Sequence, residues 1–113
     1  DKPSRLVYSV PVTMIPQAPA TLAATVRAAR VSRNWSQAEL ARRCGLDPAE
    51  ANRLERGVRL TLSTAKLLEI ARVLAGAPAS PSTPWEPAGY EGWAVLLVEL
   101  DAKARAPAHT HAA

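Results

Sequence analysis

The side chains best suited to bind a negatively charged ligand are concentrated in one short stretch, residues 36–57, with the sequence SQAELARRCGLDPAEANRLERG. A guanidinium group can hold a phosphate, and its planar fork can bond guanine O6 and N7 together. Amide side chains can pair with adenine edges or with phosphates. The stretch supplies these groups from Arg42, Arg43, Arg53, Arg56, Gln37 and Asn52. Together they favour nucleic-acid recognition.

Catalytic and metal-binding sets are missing from the sequence. The two histidines, His109 and His111, lie in a tail that we expect to be disordered. The single cysteine, Cys44, occupies an apolar helix position with no histidine nearby to activate it, and it cannot form an internal disulfide. We therefore expect no enzyme activity, no metal site and no cofactor.

Two short helices must position the binding residues. Ser36 with Glu39 three residues later is typical of a capping box, which begins a helix that Gly45 ends with a left-handed cap. Residues 47–50, DPAE, begin a second helix, because Asp favours the cap, Pro the first helical position and Glu the returning hydrogen bond. Two short helices joined by a glycine turn have helix-turn-helix spacing.

Further elements flank this pair. We predict one helix over about residues 22–33, with three arginines on its outward face, Arg27, Arg30 and Arg33. A last helix is capped by Thr61 or Ser63. Residues 5–12, RLVYSVPV, alternate as in a short edge strand. Residues 93–100, WAVLLVEL, form an apolar run whose periodicity does not separate strand from helix, and we favour a strand.

The helix pair resembles the helix-turn-helix family of lambda-type repressors, Cro and their bacterial relatives. The resemblance is carried by Ser36, Gln37, Leu40, Ala41, Gly45, Leu46, Leu54, Glu55, Arg56 and Gly57. It covers residues 21–76, about half of the chain. It implies a mainly α fold, a compact lambda-repressor-like domain of four to five helices, to which we add short terminal β-strand arms.

Composition divides the chain into segments. We expect an N-terminal extended arm over residues 1–20, the helix-turn-helix domain over 21–76, a proline-rich linker over 77–92, a dimerisation or partner-binding segment over 93–106 and a disordered tail over 107–113. Between residues 21 and 76, ten Lys or Arg outnumber five acids, whereas residues 77–113 carry two basic and four acidic residues. The positive charge therefore lies with the motif, although such a face is often merely solvated.

The resemblance assigns roles to individual residues, because in this family the second helix lies in the major groove and the first crosses the backbone. Base reading falls to Pro48, Ala49, Glu50, Asn52 and Arg53. Arg53 is the best reader, whereas the capping role of Glu50 explains it without DNA. Phosphate binding falls to Ser36, Gln37, Arg42, Arg43, Arg56 and Arg59. Arg56 can instead pair with the neighbouring glutamate.

The flanking sequence is similar to antitoxins of the HipB type, through the YS pair at 8–9, the TLST at 61–64 and the LDAKA at 100–104. In such antitoxins terminal strands join two chains, and the dimer binds a toxin and represses its own operon. Edge pairing of the apolar run would give a dimer interface of Trp93, Val95, Leu96, Leu97, Val98 and Leu100. The implied partners are double-stranded DNA with a palindromic operator, a second copy of the chain and a cognate toxin protein. We also expect the helical domain to stay folded without residues 93–113.

No apolar run approaches bilayer length and no charged-then-apolar leader is seen, so we expect a cytoplasmic, nucleoid-associated protein without a membrane partner. Three functions stay open. The first is a dimeric autorepressor that is also an antitoxin, and the second is a phage-type or general regulator without a toxin. The third is a protein-interaction module whose helix-turn-helix no longer binds DNA, suggested by Asp47 and Glu50 on the reading face.

Overall fold

The computed structural model describes residues 19–58, 62–77, 79 and 83–105, which contain five α-helices. In chain order the helices are α1 Leu22–Ser32, α2 Gln37–Cys44, α3 Pro48–Glu55, α4 Thr64–Ala75 and α5 Tyr90–Arg105. The predicted mainly α fold is confirmed. The predicted N-terminal strand at residues 5–12 and the tail at 107–113 lie outside the described residues.

Polar caps determine where three helices begin. A hydroxyl oxygen accepts the amide three residues on at Thr21 (from Ala24, 3.1 Å), Ser36 (from Glu39, 3.0 Å) and Ser63 (from Lys66, 3.1 Å). After α1, Asn34 has a φ of 60°, in the left-handed region that Asn tolerates better than most residues. The predicted Ser36 start of α2 is confirmed, and of the two caps considered for α4 the structure shows Ser63.

Apolar side chains from all five helices meet in one core. Its largest fully buried members are Trp93, Leu40, Leu67, Ile70, Leu74, Leu97 and Val26. α5 packs mainly along α4, while α2 and α3 pack on each other and α1 packs on α3. The C-terminal helix therefore belongs to the same hydrophobic core as the helix-turn-helix pair. This burial replaces the expectation that the helical domain stays folded without residues 93–113, because deletion would remove Trp93, Leu97 and Leu100 from the core.

Residues 93–100 are helical, so the predicted terminal strand is wrong. Trp93, Leu97 and Leu100, spaced four and three residues apart, are buried on one face of α5, and Val95 and Val98 are exposed on another. A strand would have placed Trp93, Val95 and Leu97 on the same side. Edge pairing of this run is therefore also wrong. Trp93, Leu97 and Leu100 are core residues of the monomer, and Leu96 packs partly against that core.

The end of α1 is joined to the connection before α5 by a buried ion pair. The guanidinium of Arg33 donates from NH1 and NH2 to the two carboxylate oxygens of Glu86, at 3.0 and 2.8 Å. The same two nitrogens donate to the carbonyl oxygens of Ala29 at 2.7 Å and Leu74 at 2.9 Å. The predicted outward position of Arg33 is wrong, because its charge is neutralised inside the protein by a residue 53 positions away.

Further contacts hold the two ends of α5. Trp85 meets Trp93 edge to face, with ring centroids 6.0 Å apart. Arg105 donates to the carbonyl oxygen of Leu62 at 2.6 Å and pairs with Asp101 at 2.9 Å. Where the structure describes the proline-rich segment, at residues 83–89, that segment therefore packs against the core rather than extending into solvent as a spacer.

Candidate nucleic-acid interface

A tight turn joins α2 to α3. Gly45 adopts the left-handed conformation, with φ 68° and ψ 34°, and the amide of Leu46 donates to the carbonyl oxygen of Ala41 at 2.8 Å. A side chain at Gly45 would strain this backbone, since residues other than glycine rarely adopt such a φ. Leu46 and Leu54 are buried in the corner between the helices, and Ala51 is fully enclosed there. The predicted helix-turn-helix geometry is therefore present.

The N-terminal turn of α3 presents small and apolar side chains to solvent. Pro48 and Ala49 are exposed, so both are accessible to a ligand. Glu50 is half-buried, and its Oε1 accepts the amide of Asp47 at 2.9 Å. This is the capping-box bond predicted for Glu50, and it occupies one carboxylate oxygen without any nucleic acid.

The carboxylate of Glu55 is the centre of a polar network between three helices. Arg30 donates to it twice, from Nε at 2.6 Å and from NH2 at 2.9 Å, and NH1 of Arg30 donates to the carbonyl oxygen of Trp35 at 2.8 Å. Only 2% of the Glu55 side chain is exposed. Because solvent screens such a pair weakly, it holds the C-terminal end of α3 against α1. The predicted outward position of Arg30 is therefore wrong.

The network continues from Glu55 to the outer side of α3. Gln37 donates from Nε2 to Glu55 Oε1 at 3.1 Å and accepts at Oε1 from Asn52 Nδ2 at 3.2 Å. Asn52 Oδ1 in turn accepts from NH1 of Arg56 at 3.3 Å. Three of the predicted DNA-contacting residues, Gln37, Asn52 and Arg56, are thus brought together. Both ends of the Gln37 amide are bonded, so its orientation is determined before any ligand arrives.

Arg53 differs from the other polar residues of α3. It is half-buried, and its guanidinium has no hydrogen bond or ion pair within the part of the chain that the structure describes. A guanidinium carries five N–H donors in a planar fork, and here that fork is not used in holding the fold together. Of the predicted base-reading residues, Arg53 has the greatest unused capacity to donate hydrogen bonds.

The two arginines at the C-terminal end of α2 are exposed and share one partner. Arg43 Nε donates to Glu39 Oε2 at 2.7 Å, and Arg42 bonds to the same oxygen. The hydrogen bond from Arg42, followed by its charge and by the corresponding contacts of Arg43, lowers the pKa of the Glu39 carboxyl. The Arg43 guanidinium also lies 4.5 Å from the centroid of the Trp35 ring. Exposed ion pairs of this kind are weak, so a phosphate can compete with Glu39.

Two other predicted phosphate-binding residues have different placements. Ser36 is exposed, and its hydroxyl accepts the amide of Glu39 as the cap of α2. Arg59 lies outside the described residues.

Cys44 is buried between the helices. Desolvation by burial, with a smaller contribution from the negative charge of Glu69, raises the pKa of its thiol to about 12. The thiol is therefore protonated at neutral pH, the form that is a poor nucleophile. Within the described ranges no group of His, Cys, Asp or Glu could hold a metal ion, and no helix is long and apolar enough to cross a bilayer.

Comparison with known families adds one finding. Residues 26–78, slightly less than half of the chain, match a family described as helix-turn-helix. The matched segment begins within α1, contains α2, the turn and α3, and ends just after α4, so α5 lies outside it. Searches of curated proteins and of solved structures gave no match. The match supports the resemblance to lambda-type repressors and Cro, and with it a DNA-binding domain of the kind found in transcription regulators.

Proposed function

We propose that this chain is a sequence-specific DNA-binding transcription regulator that acts as a dimeric repressor on a palindromic operator. The observation that carries the proposal is the unpaired guanidinium of Arg53 on α3, next to Asn52, which is hydrogen-bonded through Gln37 to the Glu55 network. The family match over residues 26–78 supports the same class of function.

In this proposal α3 lies in the major groove and Arg53 reads a guanine through O6 and N7. Ala49, exposed one turn earlier, contacts a thymine methyl group. Asn52 already shares its amide with Gln37 and Arg56, so it reaches DNA only as part of that cluster. Because each monomer has only one strong polar base-reading residue, we expect a single half-site to be distinguished only modestly from other DNA sequences.

Phosphate binding falls to groups around α2. The first amides of a helix have no intrahelical partner, so the N-terminus of α2 at Gln37 can hold a phosphate with backbone donors. The Gln37 side chain donates one Nε2 hydrogen to Glu55 and accepts from Asn52, so its second Nε2 hydrogen remains for a phosphate oxygen. Arg56 is exposed beside Asn52 and extends the positive surface along α3.

The test is a fluorescence-anisotropy titration of the full chain on its own upstream DNA and on a scrambled duplex, at several salt concentrations. We expect tighter binding to the native duplex and an affinity that falls steeply with salt. Arg53→Ala should lower the native affinity by roughly 1–3 kcal/mol, which is about 5- to 150-fold, and relax the preference at one base pair. The matched control is Arg72→Ala, which removes an exposed arginine paired with Glu69 on α4.

Each outcome bears on the proposal. Equal losses for Arg53→Ala and Arg72→Ala would remove Arg53 as the reader and leave a nonspecific electrostatic contact. No binding to either duplex at low salt would contradict DNA binding and favour the interaction-module alternative.

An antitoxin role is the finer proposal, and it rests on the similarity of the TLST and LDAKA segments to antitoxins of the HipB type. The alternative is a phage-type or general regulator without a toxin. Co-expression with the product of the adjacent gene separates the two. Relief of a growth arrest caused by that product supports an antitoxin, and a neighbour that does not arrest growth supports the alternative.

A further inference from the structure

A cleft lies between the C-terminal end of α4 and the segment that leads into α5. Its volume is about 260 Å³. At about 30 Å³ for each water molecule, this is the space of about nine waters, so the cleft admits a small molecule of that size. Leu74 and Ala75 line it from α4, Pro84 and Pro87 from the segment before α5, and Trp93 from α5 itself.

The polar side of the cleft is formed by the buried pair of Arg33 and Glu86. Glu86 accepts from the two terminal nitrogens of the guanidinium, at 3.0 and 2.8 Å. Nε of Arg33 is also buried, but its N–H has no hydrogen-bond partner among the described residues. Buried polar groups are rarely left without a partner. The side edge of this guanidinium therefore holds a donor that an acceptor in the cleft can satisfy.

The walls of the cleft are held in place by packing within the protein. The rings of Trp85 and Trp93 meet edge to face, with centroids 6.0 Å apart, which joins the segment of residues 83–89 to α5. A Cβ atom added at Gly92 would lie only 2.7 Å from Cβ of Pro87, so α5 approaches this segment closely. The cleft is therefore preformed, as most small-molecule sites are.

The charges at the cleft indicate which kind of ligand fits. The guanidinium of Arg33 and the carboxylate of Glu86 neutralise each other, and their side chains are only 3% and 5% exposed. No other described residue that lines the cleft is ionisable. A charged ligand would leave water without gaining an opposite charge, which is unfavourable. An uncharged ligand with a hydrogen-bond acceptor avoids this cost.

We propose that this cleft binds a small uncharged molecule of about nine non-hydrogen atoms, which carries a carbonyl or amide oxygen on a ring. The oxygen accepts the Nε–H of Arg33, and the ring packs against Pro84 and Pro87. None of the described residues that line the cleft belongs to α2 or α3, so the site is separate from the DNA-reading surface and its ligand binding does not depend on the proposed function.

Three probes of equal size test the proposal. Benzamide, benzoate and benzamidine have the same number of non-hydrogen atoms, and at neutral pH they are uncharged, anionic and cationic. Each is titrated to about 10 mM into the ¹⁵N-labelled full chain while the side-chain Nε–H signal of Arg33 is followed by NMR. We expect benzamide to shift this signal downfield with a dissociation constant of about 1 mM, a value typical of so small a ligand. Benzoate and benzamidine should bind at least about 10-fold more weakly.

A pair of variants tests where benzamide binds. Ala88 lines the cleft and is exposed, so Ala88→Leu should narrow the cleft without disturbing the core, and should weaken benzamide binding at least about 10-fold. Ala104→Leu makes the same change at an exposed alanine near the other end of α5 and should leave binding unchanged. Equal effects of the two variants, or no effect of Ala88→Leu, would place benzamide outside the cleft and overturn the proposal.

The other outcomes are equally decisive. An Arg33 signal that does not move with benzamide would overturn the proposal, and the rings of Trp35 and Trp93, whose centroids each lie 5.9 Å from the guanidinium carbon, would then account for the N–H. Benzoate or benzamidine binding as tightly as benzamide would refute an uncharged ligand. A chain that binds benzamide as expected but does not distinguish the native duplex would refute the proposed function alone.

Discussion

Replacing Glu86 with alanine removes the carboxylate that neutralises the buried guanidinium of Arg33. The remaining partners of that guanidinium are the carbonyl oxygens of Ala29 and Leu74, at 2.7 and 2.9 Å. These bonds hold the arginine in place, so we expect it to stay buried with an unpaired charge. The substitution therefore tests how strongly the connection before α5 contributes to the stability of the fold.

The expected magnitude follows from burial. The side chains of Arg33 and Glu86 are 3% and 5% exposed. Removing one partner of a buried pair costs about 3–5 kcal/mol, and the two retained carbonyl bonds place the expected loss near the lower end, about 3 kcal/mol. A domain of this size has a free energy of unfolding of about 5–15 kcal/mol. The variant should therefore fold, but with a substantially smaller free energy of unfolding.

Urea unfolding followed by tryptophan fluorescence measures this loss, because Trp85 and Trp93 lie beside the altered pair. With a slope of about 1–1.5 kcal/mol/M, the midpoint should fall by about 2–3 M. Glu69→Ala is the matched control, since it removes a carboxylate from an exposed pair whose side chains are 64% and 40% exposed. We expect that variant to change stability by less than about 0.5 kcal/mol.

Equal midpoints for Glu86→Ala and Glu69→Ala would refute the reasoning, because the buried pair would then contribute no more than an exposed one. A further variant tests the cause. Arg33→Leu combined with Glu86→Leu removes both charges and should recover much of the lost stability, since apolar residues often replace a buried pair without loss. A double variant as unstable as Glu86→Ala would show that the loss comes from packing rather than from an unpaired charge.

Three other predictions follow from the described contacts. Glu55→Gln removes the charge facing Arg30, so it should lower the free energy of unfolding by about 2–4 kcal/mol and weaken discrimination between native and scrambled duplexes. Unchanged values in urea unfolding and in anisotropy would contradict a role of the Glu55 network in holding α3 in place. Deleting residues 90–113 removes Trp93 and Leu97 from the core and should abolish cooperative unfolding measured by circular dichroism, whereas a folded truncated domain would contradict the single core. Native Cys44 at pH 8 should react with iodoacetamide at least about 100-fold more slowly than in 8 M urea, as followed by mass spectrometry, and equal rates would contradict its burial. Its pKa is raised from 9.0 to about 12, so its contribution to stability is fully present below pH 9 and is lost as pH rises towards 12.

Local chemistry made much of the helix-turn-helix predictable. The caps at Ser36 and Gly45 and the returning bond of Glu50 depend on residues within four positions of one another, so they can be recognised in a linear sequence. The buried corner formed by Leu46, Ala51 and Leu54 follows from the same helical register. These short-range features locate α2 and α3 in the sequence without any tertiary contact.

Long-range ion pairing explains why the outward positions predicted for Arg30 and Arg33 were wrong. Arg30 and Arg33 lie on a helix face that periodicity marks as polar, and periodicity carries no information about a carboxylate 25 or 53 residues away. The resemblance had already singled out Glu55, which was the available signal for the first pair. Glu86, within a proline-rich segment, offered no comparable signal for the second.

The continuous apolar run in α5 places aliphatic side chains in two different environments, the core and the solvent. A helix covered by core on one side and solvent on the other usually shows a clear period, and here Val95 and Val98 fill positions where polar residues would be expected. The inner face, with Trp93, Leu97 and Leu100, completes the hydrophobic core. Because Leu97 is fully buried and Val95 is 57% exposed, Leu97→Ala should lower the free energy of unfolding by about 2–5 kcal/mol, whereas Val95→Ala should change it by less than about 0.5 kcal/mol. Equal urea midpoints for the two variants would contradict the assignment of the two faces of α5, because a leucine in the core would then contribute no more than a valine in solvent.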